Sequence, residues 1–171
     1  SKNTEQIPAV KHDFTEIFFG AKQKFAFTVN REQPELRALV QLMRDGEIVA
    51  RQELPIADKT FTSTLDILQG GKWDMTVEVY QGDQKVYHGF GSRELPPVIE
   101  TFQSIVRETA ADKLRDSHYP GKEAFIQELA TLQQESAAAV KSLQNPDALS
   151  RAQWNELVAL YTQVQKSWTK V

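Results

Sequence analysis

Hydrophobic positions recur at two different spacings along the chain, every second residue in the first half and every third or fourth residue in the second half. Alternation is typical of a strand with one buried face, and the wider spacing is typical of an amphipathic helix. The spacing changes at Pro96–Pro97. The sequence therefore predicts a strand-rich part followed by a helical part, divided at these two prolines.

The first half predicts about seven short antiparallel strands, the number typical of an immunoglobulin- or fibronectin-like sandwich. Asp45–Gly46 lies between two of them and favours a two-residue hairpin turn because both residues tolerate positive φ. Gly82–Asp83 predicts a second hairpin. The positions that define the strands are a leading segment around Phe14 to Phe19; Phe25, Phe27 and Val29; Leu36, Ala38, Val40 and Leu42; Ile48 and Val49; Phe61, Leu65 and Ile67; Trp73, Met75, Val77 and Val79; and Val86, Tyr87 and Phe90.

The second half predicts three helices, at about 97–116, 121–144 and 150–169. Pro97 suits the first turn of the first helix, and Pro120–Gly121 separates it from the second. The third helix is introduced by Ser150 and Gln153, which have the spacing of a capping box. We expect the second and third helices to form an antiparallel hairpin.

These patterns together predict an α+β fold in two parts. Seven of the eight glycines lie between Gly20 and Gly91, so turns are concentrated in the first part. The expected plan is a polar N-terminal tether at 1–12, a β-sandwich domain at 13–95 and a helical domain at 96–171.

Composition narrows the choice of partners. The net charge is -3, and the densest basic stretch, Lys22 to Lys24, holds only two charges, so the sequence does not favour nucleic-acid binding. No apolar run approaches the roughly 20 residues that cross a bilayer. Cysteine is absent, which excludes disulfides and thiolate sites.

The polar segment that begins at Ser1 resembles the linker that follows a signal peptide or a lipid-anchored cysteine. We therefore expect an exported protein of the periplasm or the extracellular envelope of a bacterium. A cytoplasmic location and the oligomeric state stay open.

Motifs for catalysis, cofactors or metals are not found in the sequence. The three histidines, His12, His88 and His118, lack the paired spacing of a zinc site. An enzyme remains an alternative, in the form of a hydrolase with a site at the junction of the two halves. Its candidate residues are His88, His118, Asp74 and Glu100.

The third helix carries aromatic side chains at a seven-residue spacing, Trp154, Tyr161 and Trp168. This spacing places them on one helix face, which is either the seam of the helical part or a groove for a protein partner. The sequence favours a noncatalytic protein-interaction or envelope-assembly module, with these three residues as its partner-binding site. A small-ligand or glycan binder that uses Tyr80, Tyr87 and Tyr119 is a further alternative.

Overall fold

The computed structural model describes residues 10–11, 16–104, 120–143, 145 and 147–169. The chain divides into two compact units. The first comprises Ser1–Ile67 and Gly71–Leu95, and the second comprises Leu68–Gly70 and Pro96–Val171. All the named strands belong to the first unit, and the helices belong to the second.

The first unit is an antiparallel β-sandwich of a three-stranded and a four-stranded sheet. One sheet has the strand order β1-β2-β5 and the other has the order β4-β3-β6-β7, with every neighbouring pair antiparallel. Each sheet buries one face, so the two buried faces together form the core. The strands are β1 Val10–Lys11, β2 Gly20–Val29, β3 Leu36–Arg44, β4 Glu47–Pro55, β5 Thr60–Ile67, β6 Gly71–Gln81 and β7 Gln84–Leu95.

The core follows the predicted alternation closely. Phe25 and Phe27 on β2 are fully buried, and the Phe27 ring stacks on Phe61 of β5 with centroids 4.8 Å apart. Trp73 on β6 is 2% exposed. Because burying a side chain of this size contributes about 1.5–3 kcal/mol, this row of aromatic and aliphatic residues dominates the stability of the sandwich.

Both predicted hairpins are confirmed. Asp45 and Gly46 have φ angles of 49° and 83°, as a type I′ turn requires, and Gly82 has a φ of 59° at the start of its turn. The Asp45 turn is tied to the first residues of β6, because the amide of Asp45 donates to the Lys72 carbonyl at 2.8 Å. The Asp45 carboxylate also accepts from the Lys72 amide at 2.9 Å. At the other end of β3, the Gly82 amide donates to the Glu35 carbonyl at 3.2 Å.

The prediction of a leading strand around Phe14 to Phe19 is wrong for the part of that segment that the structure describes, residues 16–19. Ile17 and Phe19 are buried, yet residues 17–19 belong to no strand. The first strand is instead Val10–Lys11, which pairs with the end of β2 and lies inside the range predicted as a tether. Alternation reports burial rather than backbone pairing, and residues 12–15 lie outside the described part of the chain.

The helices of the second unit are α1, described at 98–104, α2 at Lys122–Lys141 and α3 at Arg151–Thr169. The continuation of the first predicted helix beyond 104 lies outside the described residues. The predicted capping box is confirmed, because Ser150 N donates to Gln153 Oε1 at 2.8 Å and Gln153 N donates to Ser150 Oγ at 3.2 Å. α2 and α3 contact each other.

Candidate interaction surface

The solvent-facing side of the four-stranded sheet, here called the outer sheet face, carries residues from all four of its strands. Its rows follow from the strand register. From β4 to β7, one row is Arg51, Gln41, Thr76 and Phe90, and the next is Ile48, Met43, Asp74 and Ser92.

Large apolar side chains are exposed at the end of the outer sheet face that holds these two rows. Phe90 on β7 is 58% exposed, and Ile48 and Val49 on β4 are 57% and 51% exposed. The register shifts between Leu42 and Met43, so Val49 has no partner on β3 and forms a bulge beside Ile48. Ile48, Val49, Met43 and Phe90 are here called the apolar band, which spans three strand spacings or about 14 Å from β4 to β7. Thr76 and Asp74 of β6 interrupt it between Met43 and Phe90.

The opposite end of the outer sheet face carries a polar ladder of Glu53, Arg37, Tyr80, Glu78 and Lys85, which crosses all four strands. Arg37 forms an ion pair with Glu53, and its guanidinium lies 4.7 Å from the centroid of the Tyr80 ring. The Tyr80 hydroxyl donates to Glu78 at 3.0 Å, and Lys85 Nζ lies 2.7 Å from the same carboxylate. The charges of the ladder are therefore paired within it.

The ion pair at the end of the ladder shifts the pKa of both partners. The hydrogen bond from Lys85 lowers the pKa of Glu78 below its usual 4.5, against a smaller opposing effect of burial. The same bond raises the pKa of Lys85 above its usual 10.5. Because the acid has a depressed pKa in the folded state, its contribution to stability is present above pH 4.5 and is lost as the pH falls through the folded value. The contribution of Lys85 is present below pH 10.5 and is lost as the pH rises through its raised folded value.

We expect Glu78→Gln to lower the stability of the sandwich slightly at pH 7 and to lose this effect at acid pH, because the neutral amide removes the ion pair that acid would otherwise break. Urea unfolding of both proteins at several values between pH 7 and pH 3 measures the difference. Lys85→Met removes the same pair from the other side and should show the same convergence. A difference between wild type and Glu78→Gln that stays constant down to pH 3 would contradict this assignment.

The structure does not bring the described residues proposed for an enzyme together: His88 and Asp74 lie four positions apart in the register of β6 and β7, since Asp74 is opposite Ser92. His88 on β7 lies opposite Glu78 in the sheet register and is exposed. Glu78 is already bonded by Lys85 and Tyr80. Glu100 is exposed on α1. Across the described residues, no group of three or more His, Cys, Asp or Glu side chains is arranged to hold a metal ion. His12 and His118 lie outside the described residues.

Two of the tyrosines proposed for a glycan site, Tyr80 and Tyr87, lie in strands of the sandwich. Tyr80 and Tyr87 are half-buried, and both lie in strands rather than loops. The Tyr87 hydroxyl lies 2.6 Å from the position of a Cβ built on Gly89, so its ring covers that glycine. Neither tyrosine forms the flat exposed ring that such a site needs. Tyr119 lies outside the described residues.

The aromatic residues of α3 pack within the second unit where their side chains are described. Trp154 is half-buried, with its ring centroid 5.4 Å from that of Phe102 on α1. Tyr161 meets the same ring edge-on at 6.2 Å. Contacts of this kind are typical of the interface between two packed helices, here α1 and α3. Trp168 lies within α3, its side chain is not among those described, and a partner-binding role for the three residues stays a prediction.

The apolar band was not identified from the sequence, although two local signals indicate it. Ile48 and Val49 are adjacent on a strand, and two consecutive apolar residues interrupt the alternation of a half-buried strand. Phe90 stands between two glycines that are buried, so the phenylalanine must occupy the opposite, solvent-facing row. β7 continues beyond these glycines to Leu95.

No family model matches this sequence, and no curated protein matches it. Among solved structures, the chain is similar to the rat CD45 extracellular region, domains d3-d4, with 13% sequence identity and a TM-score of 0.35. The match covers 52% of this chain and 47% of that one, so it spans less than half of the CD45 fragment. None of the described helices is long and apolar enough to cross a bilayer.

Proposed function

We propose that this chain is a noncatalytic protein-interaction module that binds its partner through the apolar band of the outer sheet face. One observation carries the proposal. The three most exposed large apolar side chains of the described residues, Phe90, Ile48 and Val49, all lie on this face and at the same end of it. Several large apolar side chains exposed on one face are typical of surfaces that bind other proteins.

The contrast with the second sheet supports this choice. The solvent-facing residues of β5 are threonines and those of the paired strand β2 are small or polar, as a solvated face requires. On the outer sheet face, the apolar band is bordered by the polar ladder, which resembles the apolar centre and polar rim of a protein interface. Leu39 lies between Glu53 and Glu78 in the ladder and is 9% exposed, so the polar side chains cover the leucine at that end.

Two finer parts of the proposal rest on the sequence alone. The first is a location in the periplasm or at the extracellular side of a bacterial envelope. The helical part presents α2 and α3 as a hairpin, with Trp154, Tyr161 and Trp168 as a second contact surface. Separation of cells into periplasmic, membrane and cytoplasmic fractions, followed by immunoblotting, tests the location.

Site-specific photo-crosslinking tests the surface directly. A benzoylphenylalanine is placed at position 90 or 48 in the full chain, and the control variant carries it at Thr62, which is exposed on β5. We expect mass spectrometry to identify the same cross-linked protein from positions 90 and 48 and none from position 62. Cross-links of equal yield at position 62, or different proteins at positions 90 and 48, would overturn the proposal. A variant with the cross-linker at Ala159, exposed on α3, examines the helical unit in the same experiment.

A further inference from the structure

The turn between β3 and β4 contains Asp45–Gly46, the only Asp–Gly pair in the chain, and such pairs can rearrange spontaneously. The glycine nitrogen attacks Cγ of the aspartic acid, the Cγ–N bond forms, and the carboxyl hydroxyl leaves with the amide proton as water. Water then opens the resulting succinimide ring. Attack at one ring carbonyl restores aspartate, and attack at the other gives isoaspartate, whose main chain runs through the former side-chain carboxyl group. Glycine permits the reaction because it has no side chain that obstructs the approach of its nitrogen.

The backbone of the folded turn opposes this rearrangement. A five-membered ring closes only when Cβ of Asp45 is nearly eclipsed with the Gly46 nitrogen about the Cα–C bond. Asp45 and Gly46 have φ angles of 49° and 83°, and in a type I′ turn the ψ of the first central residue is about 30°. At that ψ, Cβ lies almost opposite the nitrogen, so Cγ cannot reach it. The peptide between the two residues must therefore rotate out of the turn before the ring can close.

Contacts with β6 hold both the backbone and the side chain of Asp45. Its amide donates to the Lys72 carbonyl at 2.8 Å, and its carboxylate accepts from the Lys72 amide at 2.9 Å. The same carboxylate lies 3.0 Å from the position of a Cβ built on Gly71, so it is packed against the start of β6. A hydrogen bond to an ionised carboxylate is stronger than one between neutral groups. These contacts therefore resist the rotation that ring closure requires.

We propose that Asp45–Gly46 is a site of isoaspartate formation that the folded hairpin keeps closed, and that it opens when the end of β3 separates from β6. The register between the two strands ends at Arg44 and Trp73, so the hydrogen bonds between Asp45 and Lys72 lie just beyond the last pair. The ends of strands open locally at a smaller free-energy cost than whole-domain unfolding. Fraying at this end therefore releases the turn while the rest of the sandwich stays folded.

Isoaspartate at position 45 prevents the hairpin from closing again in its present form. The rearrangement adds one methylene carbon to the main chain between β3 and β4. Arg44 pairs with Glu47 and Met43 pairs with Ile48 directly beyond the turn. A two-residue turn fixes the register of its strands, so an added main-chain atom displaces these pairs. The start of β4, which carries Ile48 of the apolar band, is therefore the part of the sandwich that the modification alters.

Ageing of the whole chain at neutral pH tests this assignment. Digestion after lysine releases the peptide Phe25–Lys59, and electron-transfer fragmentation in a mass spectrometer distinguishes isoaspartate from aspartate at position 45. The reference is a capped synthetic peptide of residues 41–51, which has the same Asp–Gly pair and lacks β6. We expect isoaspartate to form at least tenfold more slowly in the folded chain than in the peptide. Equal rates would overturn the inference, because the folded turn would then give no protection.

Lys72→Pro removes the amide hydrogen that the Asp45 carboxylate accepts, and Lys72→Ala is the matched control because it keeps that amide. With dispersed NMR spectra showing that both variants fold, we expect isoaspartate to form at least threefold faster in Lys72→Pro. A second measurement needs no substitution: in wild type at urea concentrations below the unfolding transition, isoaspartate formation should rise in parallel with hydrogen exchange of the Asp45 amide. Equal rates in the two folded variants, or faster exchange without faster isoaspartate formation, would show that the contacts with β6 do not control the site.

Discussion

Replacing Phe27 by alanine is expected to lower the free energy of unfolding of the sandwich by about 3–5 kcal/mol. Phe27 is fully buried on β2, and its ring stacks on Phe61 with an interplanar angle of 12°. The substitution removes both the buried apolar area and the stacked partner, and it leaves a cavity between the two strands of the smaller sheet. A loss of this size is a large part of the stability of an ordinary domain.

Urea unfolding that is specific to the sandwich measures this effect. Trp73 lies in the core of the first unit, and the other two tryptophans, Trp154 and Trp168, belong to the second. A background with Trp154→Phe and Trp168→Phe therefore makes fluorescence a signal of the sandwich alone. Phe18→Ala is the matched control, because Phe18 is 38% exposed and its removal should cost about 1 kcal/mol or less. Equal losses for Phe18 and Phe27 would contradict the described core.

Gly70→Ala is expected to destabilise the second unit by about 1–3 kcal/mol, because the added methyl group has no space. A Cβ at this position would lie 2.5 Å from the carbonyl oxygen of Pro96 and 3.0 Å from Cα of Pro97. Both are backbone atoms, so no side chain can rotate to relieve the contact. The displacement would also disturb the hydrogen bond from the Gly70 amide to Asp147.

Gly20→Ala provides the control for this substitution. A Cβ there would also be crowded, 2.6 Å from an atom of Gln23, but that atom is the end of a flexible side chain, which can move at little cost. Thermal unfolding followed by circular dichroism at 222 nm reports the helices of the second unit. We expect Gly70→Ala to lower the midpoint of this transition clearly and Gly20→Ala to leave it nearly unchanged. Equal midpoints for Gly70→Ala and wild type would show that the backbone near Pro96 adjusts freely.

Features that depend on neighbours in sequence were predictable. The alternation of Phe25, Phe27 and Val29 depends only on the strand period, and Asp45–Gly46 determines its own turn through tolerated φ angles. The capping box of Ser150 and Gln153 likewise spans a single helical turn. In each case the residues that determine the structure lie within a few positions of one another.

Features that depend on pairing between distant segments were not predictable. Arg37 meets Tyr80 and Glu53 only because β3 lies between β6 and β4, and no local pattern specifies that order. The bulge at Val49 is a property of the register between two strands, and Val49, predicted only as part of a strand, is exposed there. The sequence likewise could not predict that Ile17 is buried without belonging to a strand, because this too depends on distant segments.

The hydrogen bonds that extend the pairing of β3 and β6 beyond both ends have a mechanical consequence. Asp45 is bonded to Lys72 at one end, and Glu35 is bonded to Gly82 at the other. A force along the strands would have to break the whole ladder at once, because neither end offers a loose residue from which the pair could peel apart. Under tension, the edge strands should detach first and this central pair should yield last.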